Sequence, residues 1–219
     1  MLKAAVVGVG HLGNFHVQKY AASANADLVA ICDVNKRRAE EIGSRHDVKA
    51  TDDYRELVSM GVECASVACD TAAHFEVAMH LLKNGIDVLV EKPICTSVSQ
   101  AEALVKCAQE NGRVMQVGHL ERFNPAFKQM KQFLTRPVFL EARRITPFRG
   151  RGVDVDVVLD LMIHDIDIIQ TIVKSPVKNI DAHGAPVLTR SIDIANARIT
   201  FANQCVANVT ASRNKHCNR

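Results

Sequence analysis

No stretch of roughly eighteen consecutive apolar residues occurs in this 219-residue chain, which argues against a transmembrane helix. None of the seven cysteines forms a C-x-x-C pair, and an odd number at irregular spacing points neither to a zinc site nor to a disulfide frame. Charge of one sign is not in excess. The net charge of +3 is too small and too scattered for a nucleic-acid or membrane-surface partner. Internal repeats and low-complexity tracts are absent. The chain enters its first apolar run almost at once, and no signal peptide is expected. Cys32, Cys64 and Cys69 fall in or beside apolar runs and Cys107 in a helical stretch, the usage of core thiols in a reducing compartment. A cytoplasmic protein is expected.

What is present is a core. Hydrophobic residues make up 47% and charged residues 23%, which supports one large or two modest packed domains. The apolar run at residues 4–7 reads as a buried parallel strand. It leads into Gly8-Val9-Gly10-His11-Leu12-Gly13, a G-x-G-x-x-G, and Leu12, Phe15, Val17 and Tyr20 then follow at helical spacing. Gly8 permits the tight turn, Gly10 lets a pyrophosphate approach the backbone, and Gly13 lets helix and strand pack closely. The helix start offers N–H groups and partial positive charge to phosphate. A second apolar run, 28–32, ends at Asp33, 20 residues after Gly13, where a carboxylate accepts from the adenosine ribose. That carboxylate repels a 2′-phosphate and favours NAD. Lys36, Arg37 and Arg38 lie close behind and leave NADP open. A glycine turn serving another ligand, or none, is the plainer alternative.

Further along, helices are predicted at 35–45, after the Thr51 cap, at 74–84 and at 97–109, alternating with strands at 47–50, 64–69, 87–90 and 114–117. This alternation argues for a parallel sheet with right-handed crossovers. Beyond Gly118 the pattern changes. A polar stretch at 119–125, a helix at 126–134, a strand at 138–145, a loop at 147–152, an apolar helix at 157–173 and β segments at 177–187, 192–201 and 204–211 suggest a second region. The fold class expected is α/β: a doubly wound Rossmann domain (1–120), then a shortened α+β domain with a mostly antiparallel sheet (121–219).

Ligands of open α/β sheets bind beyond the carboxyl ends of the strands. Thr71, His74, Glu91, Lys92 and His119 lie there. Lys92 follows an apolar strand and precedes Pro93, which fixes the backbone. An ammonium held there can stabilise a substrate oxygen as charge builds; a solvated surface lysine is the plainer reading. Asp160 and His164, four apart in an apolar helix, share a face and are costly to bury unless they serve each other or a substrate. His164 has the side chain suited to proton transfer near neutrality. Asp165 and Asp167 read as solvated or as hydrogen-bond anchors. The other histidines, His16 among them, show no partner pattern, and no metal is implied.

Residues 8–13, Thr71-Ala72-Ala73-His74, Val90-Glu91-Lys92-Pro93 and Asp160-x-x-x-His164 together resemble the Gfo/Idh/MocA family of oxidoreductases, over almost the whole chain. Ala72 stands where the family has proline. The resemblance implies a nicotinamide-dependent dehydrogenase acting on a carbohydrate hydroxyl. Its catalytic residues would be Lys92, Asp160 and His164, with either Lys92 or His164 as the base. Cofactor contacts would come from Gly8, Gly10, His11, Leu12, Gly13, Asp33, Thr71, His74, Glu91 and Lys92. Residues 118–126 resemble a branch that oxidises nucleotide-activated amino sugars such as UDP-N-acetylglucosamine at the 3-hydroxyl. Arg122, Arg143 and His119 would then meet the substrate, since arginine suits diphosphate oxygens. Cyclitols or simple hexoses are alternative substrates. The family's second domain continues on the order of a hundred residues further, so a natural truncation or a frameshifted end is expected here, leaving an open sheet edge. A cofactor-binding chain without turnover is the alternative reading, against which Lys92, Asp160 and His164 stand, and a homo-oligomer paired through the C-terminal sheet is expected.

Overall fold

The computed structural model describes residues 1–148 and 155–214. The predicted loop at 147–152 lies partly, and Cys217 wholly, outside them. The chain divides into two compact units, Met1–Gly118 and His119–Arg219.

In chain order the first unit contains β1 (Leu2–Val7), α1 (His11–Ala21), β2 (Ala26–Cys32), α2 (Lys36–His46), β3 (Lys49–Thr51) and α3 (Glu56–Ser59). β4 (Cys64–Val67), α4 (Thr71–Lys83), β5 (Asp87–Val90), α5 (Val98–Glu110) and β6 (Met115–Val117) follow. All six strands run parallel in the order β3-β2-β1-β4-β5-β6. The order reverses between β1 and β4, the switch point at which doubly wound sheets bind ligands. Both faces are covered, which is why the strands read as continuous apolar runs. Val17 of α1 and Ile42 of α2 pack on one side with Val6 and Ile31. Leu81 and Leu82 of α4 and Leu104 of α5 pack on the other with Val67, Val88 and Val90. Burial pushes the Cys32 thiol up to about 12, with the Asp33 charge adding to it, so this cysteine is inert core.

The helix ends follow local chemistry. Asn35 accepts from Arg38 N and caps α2, and Ser97 accepts from Gln100 N and caps α5. Gly85 and Gly112 lie just past α4 and α5 with φ of 78° and 61°, the left-handed conformation glycine adopts without a Cβ penalty. α4 starts three residues earlier than predicted, so Thr71 and His74 lie inside it.

The second unit opens on a 3₁₀ turn, Leu120–Phe123, and continues with α6 (Pro125–Lys131), β7 (Phe139–Ile145), a π-helical turn (Val158–Met162) and α7 (Ile163–Val173). Strands β8 (Val177–Ala185), β9 (Ile194–Phe201) and β10 (Val206–Ser212) complete it. The sheet order is β7-β10-β9-β8. Two of the pairings are antiparallel, as the short turns require, whereas β10 pairs with β7 in parallel. Alternate residues of β9 and β10, including Ala197, Ile199, Phe201, Ala207 and Val209, bury one face under Val157, Met162, Ile169 and Val173. Strand β8 is exposed along its whole length and bears Lys178 and Asp181, charges of the kind that discourage edge pairing.

Candidate active site

Within the first unit the glycine loop occupies the switch point. Gly8 has φ of 84°, and a Cβ there would lie 2.4 Å from Cys69 N. A Cβ on Gly13 would fall 1.7 Å from Gly8 O, so the first turn of α1 lies directly against the loop. Gly10 differs: nothing lies within 4 Å of a Cβ built on it, and no side chain caps the helix that starts behind it. Open space in front of a glycine at an uncapped helix start fits a pyrophosphate.

Asp33 ends β2 and closes over this loop. Its Oδ2 accepts from Val9 N at 2.9 Å and its Oδ1 from Asn35 N at 2.8 Å, with Arg38 Nη1 3.9 Å from Oδ2. Each carboxylate oxygen keeps acceptor capacity for a ribose hydroxyl. Gly8, Gly10, His11, Leu12, Gly13 and Asp33 therefore gather at one place and would hold a dinucleotide.

Thr71 and His74 are buried on α4. His74 Nδ1 lies 2.9 Å from Pro93 O and Nε2 3.0 Å from Cys69 O. Its ring is thus a bracket between the β4–α4 turn and the Glu91-Lys92-Pro93 segment, and its nitrogens are engaged by backbone. A neutral imidazole donates to one of these two carbonyls; only the doubly protonated ring donates to both. Lys92 and Pro93 are joined by a cis peptide bond. Glu91 is 5% exposed, accepts from Lys92 N at 3.2 Å and contacts His16, a residue the sequence left without a role.

In the second unit, Asp156 caps the π-helical turn by accepting from Val158 N and Leu159 N, both at 3.0 Å. Asp160 lies in that turn and His164 in the first turn of α7, so their four-residue spacing crosses from π to α winding. π-turns occur often at functional sites. Arg213, at the end of β10 and 3% exposed, reaches Asp160 Oδ2 at 3.4 Å and donates to Val155 O at 2.7 Å; its role had no signal in the sequence. Asp165 and Asp167 are buried rather than solvated, and serve as anchors. Arg144 of β7 makes a two-pronged pair with Asp165 at 3.0 and 2.8 Å. Arg122 does the same with Asp167 at 2.8 and 2.5 Å. His119 Nδ1 is 3.9 Å from Asp167. Arg143, by contrast, is exposed and pairs only with its neighbour Glu141 among the described residues.

Among the described residues no group of three or more His, Cys, Asp or Glu side chains is placed to hold a metal ion, and no helix is long and apolar enough to cross a membrane. Parallel sheet, switch-point glycines and Asp33 define a dinucleotide-binding fold.

Comparison with known proteins makes the class specific. Residues 2–119 match the model of the oxidoreductase family with an NAD-binding Rossmann fold, GFO_IDH_MocA. Residues 133–219 match the C-terminal domain of the same family. The chain belongs to the Gfo/Idh/MocA family of NAD-binding oxidoreductases. It is 37% identical, over 97% of its length and 67% of the relative's, to UDP-N-acetylglucosamine 3-dehydrogenase of Acidithiobacillus ferrooxidans. A solved structure of that protein superposes with a TM-score of 0.92 at 36% identity, over 98% of this chain and 71% of that one. The scyllo-inositol 2-dehydrogenase (NAD(+)) of Bacillus subtilis is 26% identical over 97% of this chain and 67% of its own. The chain thus spans about two thirds of the length of these curated relatives.

Proposed function

We propose that this protein oxidises a ring hydroxyl of a nucleotide sugar, of the UDP-N-acetylglucosamine type at its 3-position. The observation that carries this reading is the 37% identity to UDP-N-acetylglucosamine 3-dehydrogenase, which extends over 97% of the chain. The run Gly118-His119-Leu120-Glu121-Arg122-Phe123-Asn124-Pro125-Ala126 supports the same branch.

The NAD, when bound, supplies the hydride acceptor. Gly10 and the start of α1 would receive its pyrophosphate, and Asp33 its adenosine ribose. Lys92 donates a hydrogen bond to the reacting hydroxyl oxygen and stabilises the negative charge that grows there. His164 accepts the hydroxyl proton as general base. Asp160, itself paired with Arg213, orients the imidazole or a sugar hydroxyl. Thr71, His74 and Glu91 support the cofactor side, His74 through the backbone it brackets. His119 and Arg143 are assigned to the nucleotide end of the substrate. Arg122 is assigned there too, its guanidinium fixed by Asp167. Action on a soluble activated sugar suits a cytoplasmic protein, and pairing of copies through the four-stranded sheet completes the proposal.

The test is NADH formation over a panel of UDP-N-acetylglucosamine, UDP-N-acetylgalactosamine, scyllo-inositol, myo-inositol and glucose. Preferred turnover of UDP-N-acetylglucosamine supports the reading. The inositol dehydrogenase relative makes a cyclitol the second candidate, and preferred turnover of an inositol would replace the nucleotide sugar.

A further inference from the structure

Asp33, Asn35 and Arg38 form a closed circuit. Asp33 Oδ1 accepts from Asn35 N at 2.8 Å, and Asn35 Oδ1 accepts from Arg38 N at 3.2 Å. Arg38 Nη1 then returns to 3.9 Å from Asp33 Oδ2. That same oxygen accepts from Val9 N at 2.9 Å, so the carboxylate is fixed between the glycine loop and the first turn of α2. The circuit singles out one of three neighbouring cations. Lys36 and Arg37 are exposed and make no ion pair among the described residues, whereas Arg38 is turned back onto the carboxylate.

The contact is electrostatic. At 3.9 Å the guanidinium feels the charge of Asp33, yet the separation is too long for a hydrogen bond. Among the described residues no acceptor engages its side-chain N–H groups. The arginine side chain is 49% exposed and the carboxylate 8%. Arg38 therefore keeps the planar fork of donors that grips phosphate oxygens in two prongs. A phosphate on the 2′-hydroxyl of the adenosine ribose would arrive at the carboxylate that receives that ribose. It would meet a guanidinium able to bind it and a carboxylate that repels it.

We propose that Arg38 is a latent 2′-phosphate site and a determinant of cofactor choice. Asp33 holds Arg38 in an ion pair and repels the phosphate, so NAD is taken in preference to NADP. Loss of the Asp33 charge releases Arg38 to bind the 2′-phosphate of NADP. This rests on the place given to the adenosine ribose above. It differs from simple repulsion in one respect: a carboxylate that only repels would, once neutralised, admit NADP with or without Arg38.

The test is a fluorescence titration of NADH and NADPH, which share one fluorophore, against the wild type, Asp33→Asn, Arg38→Leu and the double variant. The readout is the ratio of NADPH affinity to NADH affinity, in which any loss common to both cofactors cancels. The wild type is expected to favour NADH by about tenfold or more. Asp33→Asn raises the ratio by about tenfold or more, and the double variant brings it back to within about threefold of the wild type. Arg38→Leu alone lowers the ratio by about threefold or more, because a positive charge near the phosphate is gone while Asp33 remains. A ratio that rises equally in Asp33→Asn and in the double variant assigns the choice to the carboxylate alone and overturns the proposal. An unchanged ratio in Asp33→Asn removes the ribose from Asp33 and the proposal with it. Should Asp33→Asn fail to fold, Arg38→Leu decides, since it leaves every hydrogen bond of the carboxylate in place; a wild-type ratio there overturns the proposal. No sugar enters the titration, so a protein that oxidises no nucleotide sugar would sink the function proposed above and leave this result standing.

Discussion

Gly10 and Gly13 are the same residue type under opposite demands. A methyl at Gly13 meets Gly8 O at 1.7 Å, and a methyl at Gly10 meets nothing. Gly10 has φ of −67°, outside the left-handed region that favours glycine. Gly10→Ala is therefore expected to melt within about 2 °C of the wild type, the range of neutral surface changes, yet to lose most of its affinity for NADH in a fluorescence titration. Gly13→Ala is expected to lose both, because the helix must shift off the sheet. A normal NADH affinity in Gly10→Ala would remove the pyrophosphate from that position. The glycine motif and Asp33 were legible because their spacing is local. His16 was not: its partners Ser66 and Glu91 are 50 and 75 residues away. One signal did exist. His16 follows Gly13 by one helical turn, and Gly13 faces the sheet, so His16 faces it as well.

At the scale of the element, β1, β2 and β5 were readable because each is a largely apolar run closed by a glycine or an acid, Gly8, Asp33 and Glu91. The helix carrying Asp160 and His164 was readable only in outline. Its start is π-wound, and no residue pattern distinguishes that from α. Asp165 and Asp167 illustrate the same gap, since the arginines that bury them come from β7 and from the 3₁₀ turn. α4 offers a prediction. His74 lies between two carbonyls at 1% exposure, and His74→Phe removes the ring N–H that a neutral imidazole donates to one of them. A loss of about 1–3 kcal/mol per unsatisfied group is expected in urea unfolding, together with weaker NADH binding as the Lys92-Pro93 segment loosens. An unaltered unfolding midpoint would show that the ring is not a bracket.

For the molecule as a whole, acid is the condition that bears on its buried carboxylates. Asp193 is fully buried, which by itself would raise its pKa. Its carboxylate accepts from the N–H groups of Val187, Thr189 and Leu188 and from the Thr189 hydroxyl, and these hold it far below the ordinary range. Glu91 in the first unit is lowered as well. A carboxyl with a depressed folded pKa contributes stability that is fully present above its unfolded pKa, about 4, and is lost as pH falls through the lower folded value. The urea midpoint is therefore expected to hold from neutrality to about pH 5 and to fall below about pH 4, with Asp193→Asn flattening part of that fall. A midpoint that rises on acidification would reverse the sign of both assignments. The two-unit layout was legible in the change of pattern after Gly118. The mixed character of the second sheet was not, because a parallel β7–β10 pair is set by the path of the chain between them and not by either strand.

The role proposed for Lys92 and His164 is the oxidation of a UDP-sugar hydroxyl with NAD as acceptor. It is tested most directly by incubating the protein with UDP-N-acetylglucosamine and NAD and measuring NADH and the oxidised sugar together, for the wild type and for Lys92→Met. NADH and a keto-sugar are expected in equal amounts, with a loss of about a hundredfold or more in kcat for Lys92→Met and NADH affinity retained. NADH binding without turnover of any nucleotide sugar, or a Lys92→Met variant as fast as the wild type, would contradict it.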